Sequence, residues 1–349
     1  MFVRFTTSSN NAERHWGFQN ALLATATANS GFTPSLPSGC IDYSVLSNDE
    51  AGGWVENVSE SDLLTSSTDT AGTLCLQSRM TSKDIGIEEM SKHIKIQFDG
   101  SAGDFEQIAF GVVIPDGSTS ANSNPLLFNA TSEHNDRDFD HSLDWYVSIT
   151  EEYCWIWDVN AGFQHIFGLC DLDGVPPAYK SQSNYWSPIA GLCSDVAANF
   201  HTSYMQMLLH PIMSSYNSGG LLGAGAWTQL QLVDTHPELY STTPDCTYYN
   251  YSGAATPATD VYHKSVNTDG MYTDSLNPIA MFSPMNNIPY MPFKGIKALG
   301  RFSGASQDDV ANAAVNYKSY INRIVYDENG DRYMVVHWNP WAPVAIRCV

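Results

Sequence analysis

Residues 143–171 read LDWYVSITEEYCWIWDVNAGFQHIFGLCD, and the spacing of their apolar side chains decides the fold class. Leu143, Trp145, Val147 and Ile149 alternate with Asp144, Tyr146, Ser148 and Thr150, a period of two that belongs to a strand rather than a helix. Beyond Glu151-Glu152, Tyr153, Trp155 and Trp157 alternate with Cys154, Ile156 and Asp158. Asn160-Ala161-Gly162 then turns the chain into Phe163, His165, Phe167 and Leu169. Three alternating runs joined by short turns predict an antiparallel meander. Its aromatic face must pack against a second sheet or a neighbouring molecule.

The same device closes the chain. Ile324-Val325-Tyr326 and Tyr333-Met334-Val335-Val336-His337-Trp338 flank Asp327-Glu328-Asn329-Gly330-Asp331, and Asn-Gly predicts a hairpin turn because both residues accept positive φ. Residues 94–98, 108–114 and 227–233 also have strand character. One helix is expected near the N-terminus, where Asn10 and Glu13 have the spacing of a capping box. Its apolar stripe runs along Ala12, Trp16 and Leu23, with Phe18 and Leu22 beside it, until Asn29-Ser30-Gly31. A second helical pattern covers about 307–321 through Val310, Ala313, Ala314 and Tyr317. The two prolines of FTPSLPSGC (32–40) fit an extended linker.

Residues 116–140, 173–195 and 234–277 show no clear periodicity, and loops of that length are easier to order against a neighbour than inside a compact enzyme. The expected fold is therefore mainly β: antiparallel, sandwich-like sheets with an N-terminal helix and long ordered loops. Residues 1–40 read as a helical arm and linker, and 41–349 as a β-rich body, either whole or divided into two subdomains near 175–195.

Hydrophobic residues make up 43% of the 349 and aromatics 12%, which excludes a disordered chain. Lys and Arg total 16 against 37 Asp and Glu, a formal charge of −21, so phosphates would repel the protein and duplex nucleic acid is excluded as a direct partner. The imbalance is uneven, with 7 bases and 25 acids in residues 1–175 but 9 and 12 in residues 176–349. The near-neutral half is expected to make most subunit contacts, while acidic loops face solvent or a basic partner. No apolar run is long enough for a membrane helix, so no membrane insertion is expected, and MFVRFTTSSNNAERHWGF lacks the order of a secretory signal. Cys40, Cys75, Cys154, Cys170, Cys193, Cys246 and Cys348 contain no C-x-x-C and no zinc spacing; they read as reduced, mostly buried thiols of a protein made in a cytoplasm.

Few side chains have the spacing of a reactive site. Asp136, Asp138 and Asp140 resemble the first ligands of a calcium loop, but His141 stands where Gly is needed and Val147 where the bidentate Glu belongs. The cluster is read as a solvated acidic loop, with a calcium site of another kind as the alternative. Glu151, Glu152 and Asp158 suggest a carboxylate pair for glycoside hydrolysis, yet adjacent strand residues point to opposite faces, and the two glutamates are read as an exposed turn. His165 reads as a core histidine. Gly219–Gly225 (GGLLGAG) has neither the Lys-Ser/Thr of a phosphate loop nor the acidic context of a dinucleotide site. Trp338-Asn339-Pro340-Trp341 and Tyr248-Tyr249-Asn250-Tyr251 suit sugar stacking or a subunit interface, and the interface is favoured. No catalytic, cofactor-binding or metal-ligating residue is assigned, no cofactor is expected, and the chain is not read as an enzyme.

Three stretches resemble the virion structural proteins of tailed bacteriophages, in particular those of tails, necks and tail tips. The first is MFVRF at 1–5, followed by a short helix and the GWVENVS turn around Trp54. The second, FGLCDLDGVPPAYK (Phe167–Lys180), resembles an FGDxxSxxPxDAY-type stretch, from which Cys170 and Pro176-Pro177 depart. The third is the closing YDENGDRYMVVHWNPWAPVAIRCV, a hairpin, a Trp (Trp338) and then an aliphatic-Arg segment with Arg347. The resemblance carries over no site residues. It implies a virion component, tail- or neck-associated and made in the host cytoplasm, that binds copies of itself and other virion proteins. The alternatives are a receptor- or glycan-binding fibre module, testable at Trp338 and Trp341, and a phage-borne glycan depolymerase, testable by carboxylate substitution.

Overall fold

The computed structural model describes residues 1–81, 91–99, 104–113, 128–129, 143–159, 166–171, 189–193, 226–227, 231–232, 249–250, 276–281, 291–299, 322–336 and 344–349. The first elements are β1 (Phe2–Thr7), α1 (Asn11–Thr27), β2 (Cys40–Ser47), β3 (Trp54–Glu56), β4 (Ala71–Thr81), β5 (Ser91–Asp99), β6 (Asp104–Val113) and β7 (Phe128–Asn129). Next come β8 (Asp144–Ile149), β9 (Tyr153–Asp158), β10 (Ile166–Asp171), β11 (Ile189–Cys193), β12 (Ala226–Trp227), β13 (Gln231–Leu232) and β14 (Tyr249–Asn250). The last are β15 (Leu276–Met281), β16 (Met291–Leu299), β17 (Ile324–Tyr326), β18 (Arg332–Val336) and β19 (Val344–Arg347).

The protein is mainly β, with antiparallel sheets and one helix near the N-terminus among the described residues. A central sheet has the order β11-β10-β9-β8-β1-β2. A sheet β3-β4-β5-β6-β7, inserted in the chain between β2 and β8, and a C-terminal sheet β13-β15-β16-β19-β18-β17 cover its two faces. The expected meander is β8-β9-β10, in a register that pairs Val147 with Ile156 and Ile156 with Phe167. Both faces of that meander are buried, so β9 and β10 have no solvent side at all. Strands buried on both faces read as near-continuous apolar runs, and Tyr153-Cys154-Trp155-Ile156-Trp157 is such a run.

One face of the central sheet presents Val3, Phe5, Trp145, Val147, Ile149 and Phe167 to α1 and to Leu74, Leu76, Ile94, Ile96 and Phe98 of the insert sheet. The opposite face presents Trp155, Tyr153 and Ser148 to the C-terminal sheet. There the Trp155 indole Nε1 donates to the Lys294 carbonyl at 3.0 Å, and the Ser148 hydroxyl donates to the Arg347 carbonyl. Gly295, at φ +75°, lies flat on the Tyr153 ring; a Cβ there would come within 2.7 Å of the ring carbons.

Residues 1–40 do not stand apart as an arm. β1 is hydrogen-bonded to β2 on one side and to β8 on the other, and Met1, Val3 and Phe5 are wholly buried. Partners 136 residues away in sequence, such as Thr7 and Leu143, have no local signature that would reveal the strand. The linker returns along α1, where Asn20 donates to the Ser38 carbonyl at 3.1 Å. Gly17 and Gly39 meet there backbone to backbone, and a Cβ on Gly17 would sit 2.3 Å from the Gly39 carbonyl oxygen.

The helix begins as its sequence implies, with a relay in place of half the box. The Asn10 side chain accepts from the Glu13 amide at 3.3 Å, but Glu13 bonds Ser8, whose hydroxyl accepts from the Asn10 amide at 3.2 Å. The buried stripe is Phe18, Leu22, Thr25 and Ala26 with Arg14, His15 and Gln19, while Ala12, Trp16 and Leu23 are only half-buried. Buried polar residues turned the face: Gln19 donates to the Leu64 carbonyl at 3.0 Å and accepts from the Leu64 amide at 2.9 Å. Thr25 bonds the Ala21 carbonyl and the Tyr43 hydroxyl.

The closing hairpin forms as β17–β18, pairing Tyr326 with Arg332. Its turn differs from the Asn-Gly expectation, because Gly330 takes φ +84° while Asn329 does not take a positive φ. The Asp327 carboxylate accepts from the Asn329 and Asp331 amides, both at 2.9 Å, and the Gly330 amide closes on the Asp327 carbonyl at 3.0 Å. This is a type I turn followed by a left-handed glycine bulge. The helix expected at 307–321 lies outside the described residues, as do most of 116–140, 173–195 and 234–277.

Candidate functional site

The described interior brings together two sets of chemically active groups that sequence spacing does not link. On the insert sheet, Cys75 lies opposite Lys95, and His93 lies opposite Gln77. Cys75 and His93 are therefore diagonal neighbours on one face, and the thiol contacts the imidazole Nε2. Burial pushes the Cys75 thiol well above the ordinary thiol range and lowers His93 to about 4, with the Lys95 charge adding to the second shift. The pair is thus a neutral thiol beside a neutral imidazole, the opposite of the thiolate–imidazolium that a cysteine nucleophile needs.

The second set joins the layers. Lys92 of β5 meets Asp171 of β10 at 2.8 Å, both almost fully buried, and Lys294 of β16 meets Glu152 in the β8–β9 turn. Burial raises the Asp171 carboxyl above its ordinary range, against the attraction of the Lys92 ammonium. Each ion pair crosses from the central sheet to a different neighbour, so together they staple three sheets at one end of the meander.

Glu151 is exposed in the turn, its carbonyl accepting from Ser78 at 2.8 Å, and Glu152 is held by Lys294. Asp158 is buried at the other end of β9, six residues or about 20 Å from Glu152. The three carboxylates form no hydrolytic pair. Among the described residues no group of three or more His, Cys, Asp or Glu is placed to hold a metal. Asp136, Asp138 and Asp140, His165, Gly219–Gly225 and Trp338–Trp341 lie outside the described residues, and of 248–251 only the strand β14 is described. No described helix is long and apolar enough to cross a membrane.

The outer surface offers a different kind of site. Among the described residues, β2 ends the central sheet and β17 ends the C-terminal sheet. Arg332 pairs with Asp49 at 3.7 Å and Arg347 with Glu50 at 3.5 Å, so the residues just past β2 bind β18 and β19 and both sheet ends lie on one side of the molecule. Four large apolar residues are exposed along that side: Ile41 (67%), Leu46 (46%), Ile324 (41%) and Tyr326 (60%). Ile41 and Leu46 fall at the two register shifts of the β1–β2 pairing, between Thr6–Asp42 and Thr7–Cys40 and between Phe2–Ser47 and Val3–Val45. An extra residue in one strand turns its side chain out of the alternation, which puts these two aliphatic groups into solvent. The site draws on both halves of the chain, β2 from the acidic half and β17 from the near-neutral one. No family model matches the chain, and no curated protein matches it.

Proposed function

We propose that this chain is a structural component of a tailed-phage virion, tail- or neck-associated, that works by assembling with copies of itself and with other virion proteins. The observation that supports it is the pair of sheet edges on one side of the molecule, with Ile41, Leu46, Ile324 and Tyr326 facing solvent. Sheet edges and large exposed apolar groups are liabilities for a protein that stays alone, and they are surfaces that a neighbour can cover. The resemblance of 1–5, 53–59, 167–180 and 326–349 to phage tail and neck proteins supports the virion setting.

The test is electron microscopy of the purified protein together with mass measurement. A ring, a tube or decoration of a phage particle is expected. A chain that stays monomeric and binds glycan would replace this reading with the fibre module.

A further inference from the structure

We infer that Cys75 and His93 hold one soft monovalent cation, of the Cu(I) and Ag(I) class, between β4 and β5. Leu74, Leu76, Ile94 and Ile96 turn toward the core, so the alternate residues Cys75 and His93 stand on the opposite face of the insert sheet. They are nonetheless sealed from solvent, at 0% and 1% exposure. The segment after β3 supplies cover. Ser61 bonds both backbone groups of Cys75, and Glu60 reaches Lys95, directly opposite Cys75, at 3.1 Å. Under that cover the thiol touches the imidazole Nε2, while the other ring nitrogen, Nδ1, is buried without a hydrogen-bond partner. The imidazole is therefore committed to the sulfur alone.

A sulfur and an imidazole nitrogen select soft cations over the hard ions that seek oxygen. Charge then selects the valence. As the sulfur–metal bond forms, the thiol proton leaves to solvent. Thiolate, imidazole and a monovalent cation sum to zero, a state that a buried site tolerates. A divalent ion would leave one positive charge inside, and structural zinc takes four ligands. Among the described residues no third His, Cys, Asp or Glu completes such a group. Two ligands in line are enough for Cu(I) or Ag(I). Diagonal cross-strand neighbours stand about 7–8 Å apart, and a sulfur–metal–nitrogen line spans roughly 4 Å. A small opening of the two side chains therefore admits one atom without moving the strands. The nearby Lys95 ammonium, which would repel a cation, is already paired with Glu60.

The test is titration of the reduced full chain with Cu(I) under nitrogen, against a competing Cu(I) chelator, followed by X-ray absorption of the one-equivalent complex. One equivalent should bind, coordinated by one sulfur and one nitrogen, and should raise the melting temperature. Amide exchange should slow in β4 and β5 on binding, a readout on wild type that does not depend on any variant folding. Cys75→Ser should remove the bound equivalent, and His93→Gln should weaken it at least about tenfold. Cys154→Ser, which alters a buried thiol on the central sheet, should leave it unchanged. Sulfur-only coordination in the wild type would overturn the site. So would the lack of a bound equivalent, or an equivalent that survives Cys75→Ser.

Discussion

The two faces of the central sheet are held by different means. Toward α1 and the insert sheet, aromatic and aliphatic side chains interlock, with Phe18 edge-on to Trp145 at 4.9 Å and to Phe5 at 5.8 Å. Toward the C-terminal sheet the contacts are directed: Trp155 ends on the Lys294 carbonyl, Ser148 on the Arg347 carbonyl, and Tyr153 lies under Gly295. Apolar burial is proportional to area and indifferent to direction, whereas hydrogen bonds and a glycine contact fix one position. Both faces bury large side chains; the directed contacts of the second set where the C-terminal sheet sits, and with it the position of β17 beside β2.

The largest effects should come from deleting a ring on either face. Phe18→Ala and Trp155→Ala should each cost about 3–5 kcal/mol in denaturant melts. The contrast lies in Trp155→Phe, which keeps a ring but leaves the Lys294 carbonyl without its donor and should still cost about 1–3 kcal/mol; a neutral result would mean the second face is held by area like the first. Next comes the staple between the central and insert sheets. Lys92→Met should cost about 3–5 kcal/mol by stranding the Asp171 carboxylate, and Lys92→Met with Asp171→Leu should recover most of it. Equal losses in the single and double variants would show that packing, not charge, matters there.

Acid separates the two outer sheets. His93 titrates near 4 in the folded protein, below its ordinary 6.5, so its contribution is whole above pH 6.5 and drains away as the pH falls toward 4. The loss should reach about 3 kcal/mol and should vanish in His93→Gln. Amide exchange should accelerate first in β4 and β5, and acceleration beginning in β18 and β19 would reverse the assignment. Gly295→Ala matches Trp155→Phe as the smallest effect expected, at about 1–3 kcal/mol. It should shift the C-terminal sheet against Tyr153, visible as altered Trp155 fluorescence, while β4 and β5 amides stay protected.

The meander was legible because its alternation is local, and the closing hairpin because Gly330 has few other uses between two apolar runs. The layer count was not. Tyr153–Trp157 is apolar on both faces, which identifies a middle layer only once a third sheet is known to exist. The helix face was misread because Arg14, His15 and Gln19 are buried, and a hydrophobic stripe ignores side chains such as Gln19 that satisfy themselves on a distant backbone. Cys75 and His93 are 18 residues apart, and only the β4–β5 register makes them neighbours. The exposed edge depends on two register shifts that no residue type announces. Reading Ile41 and Leu46 in sequence gives ordinary strand residues.

The place of β1 in the middle of its sheet also imposes a schedule. Thr7 donates to the Leu143 carbonyl across a separation of 136 residues, and the whole insert sheet is encoded between them. At ribosomal speeds of about 5–20 residues per second, β8 follows β1 by on the order of ten seconds. Of the partners that β1 has in the folded protein, only α1 and β2 precede the insert sheet in the chain. The Phe5–Phe18 contact joins two elements adjacent in sequence, whereas the β1–β8 ladder is a contact of long sequence separation, the kind that slows folding.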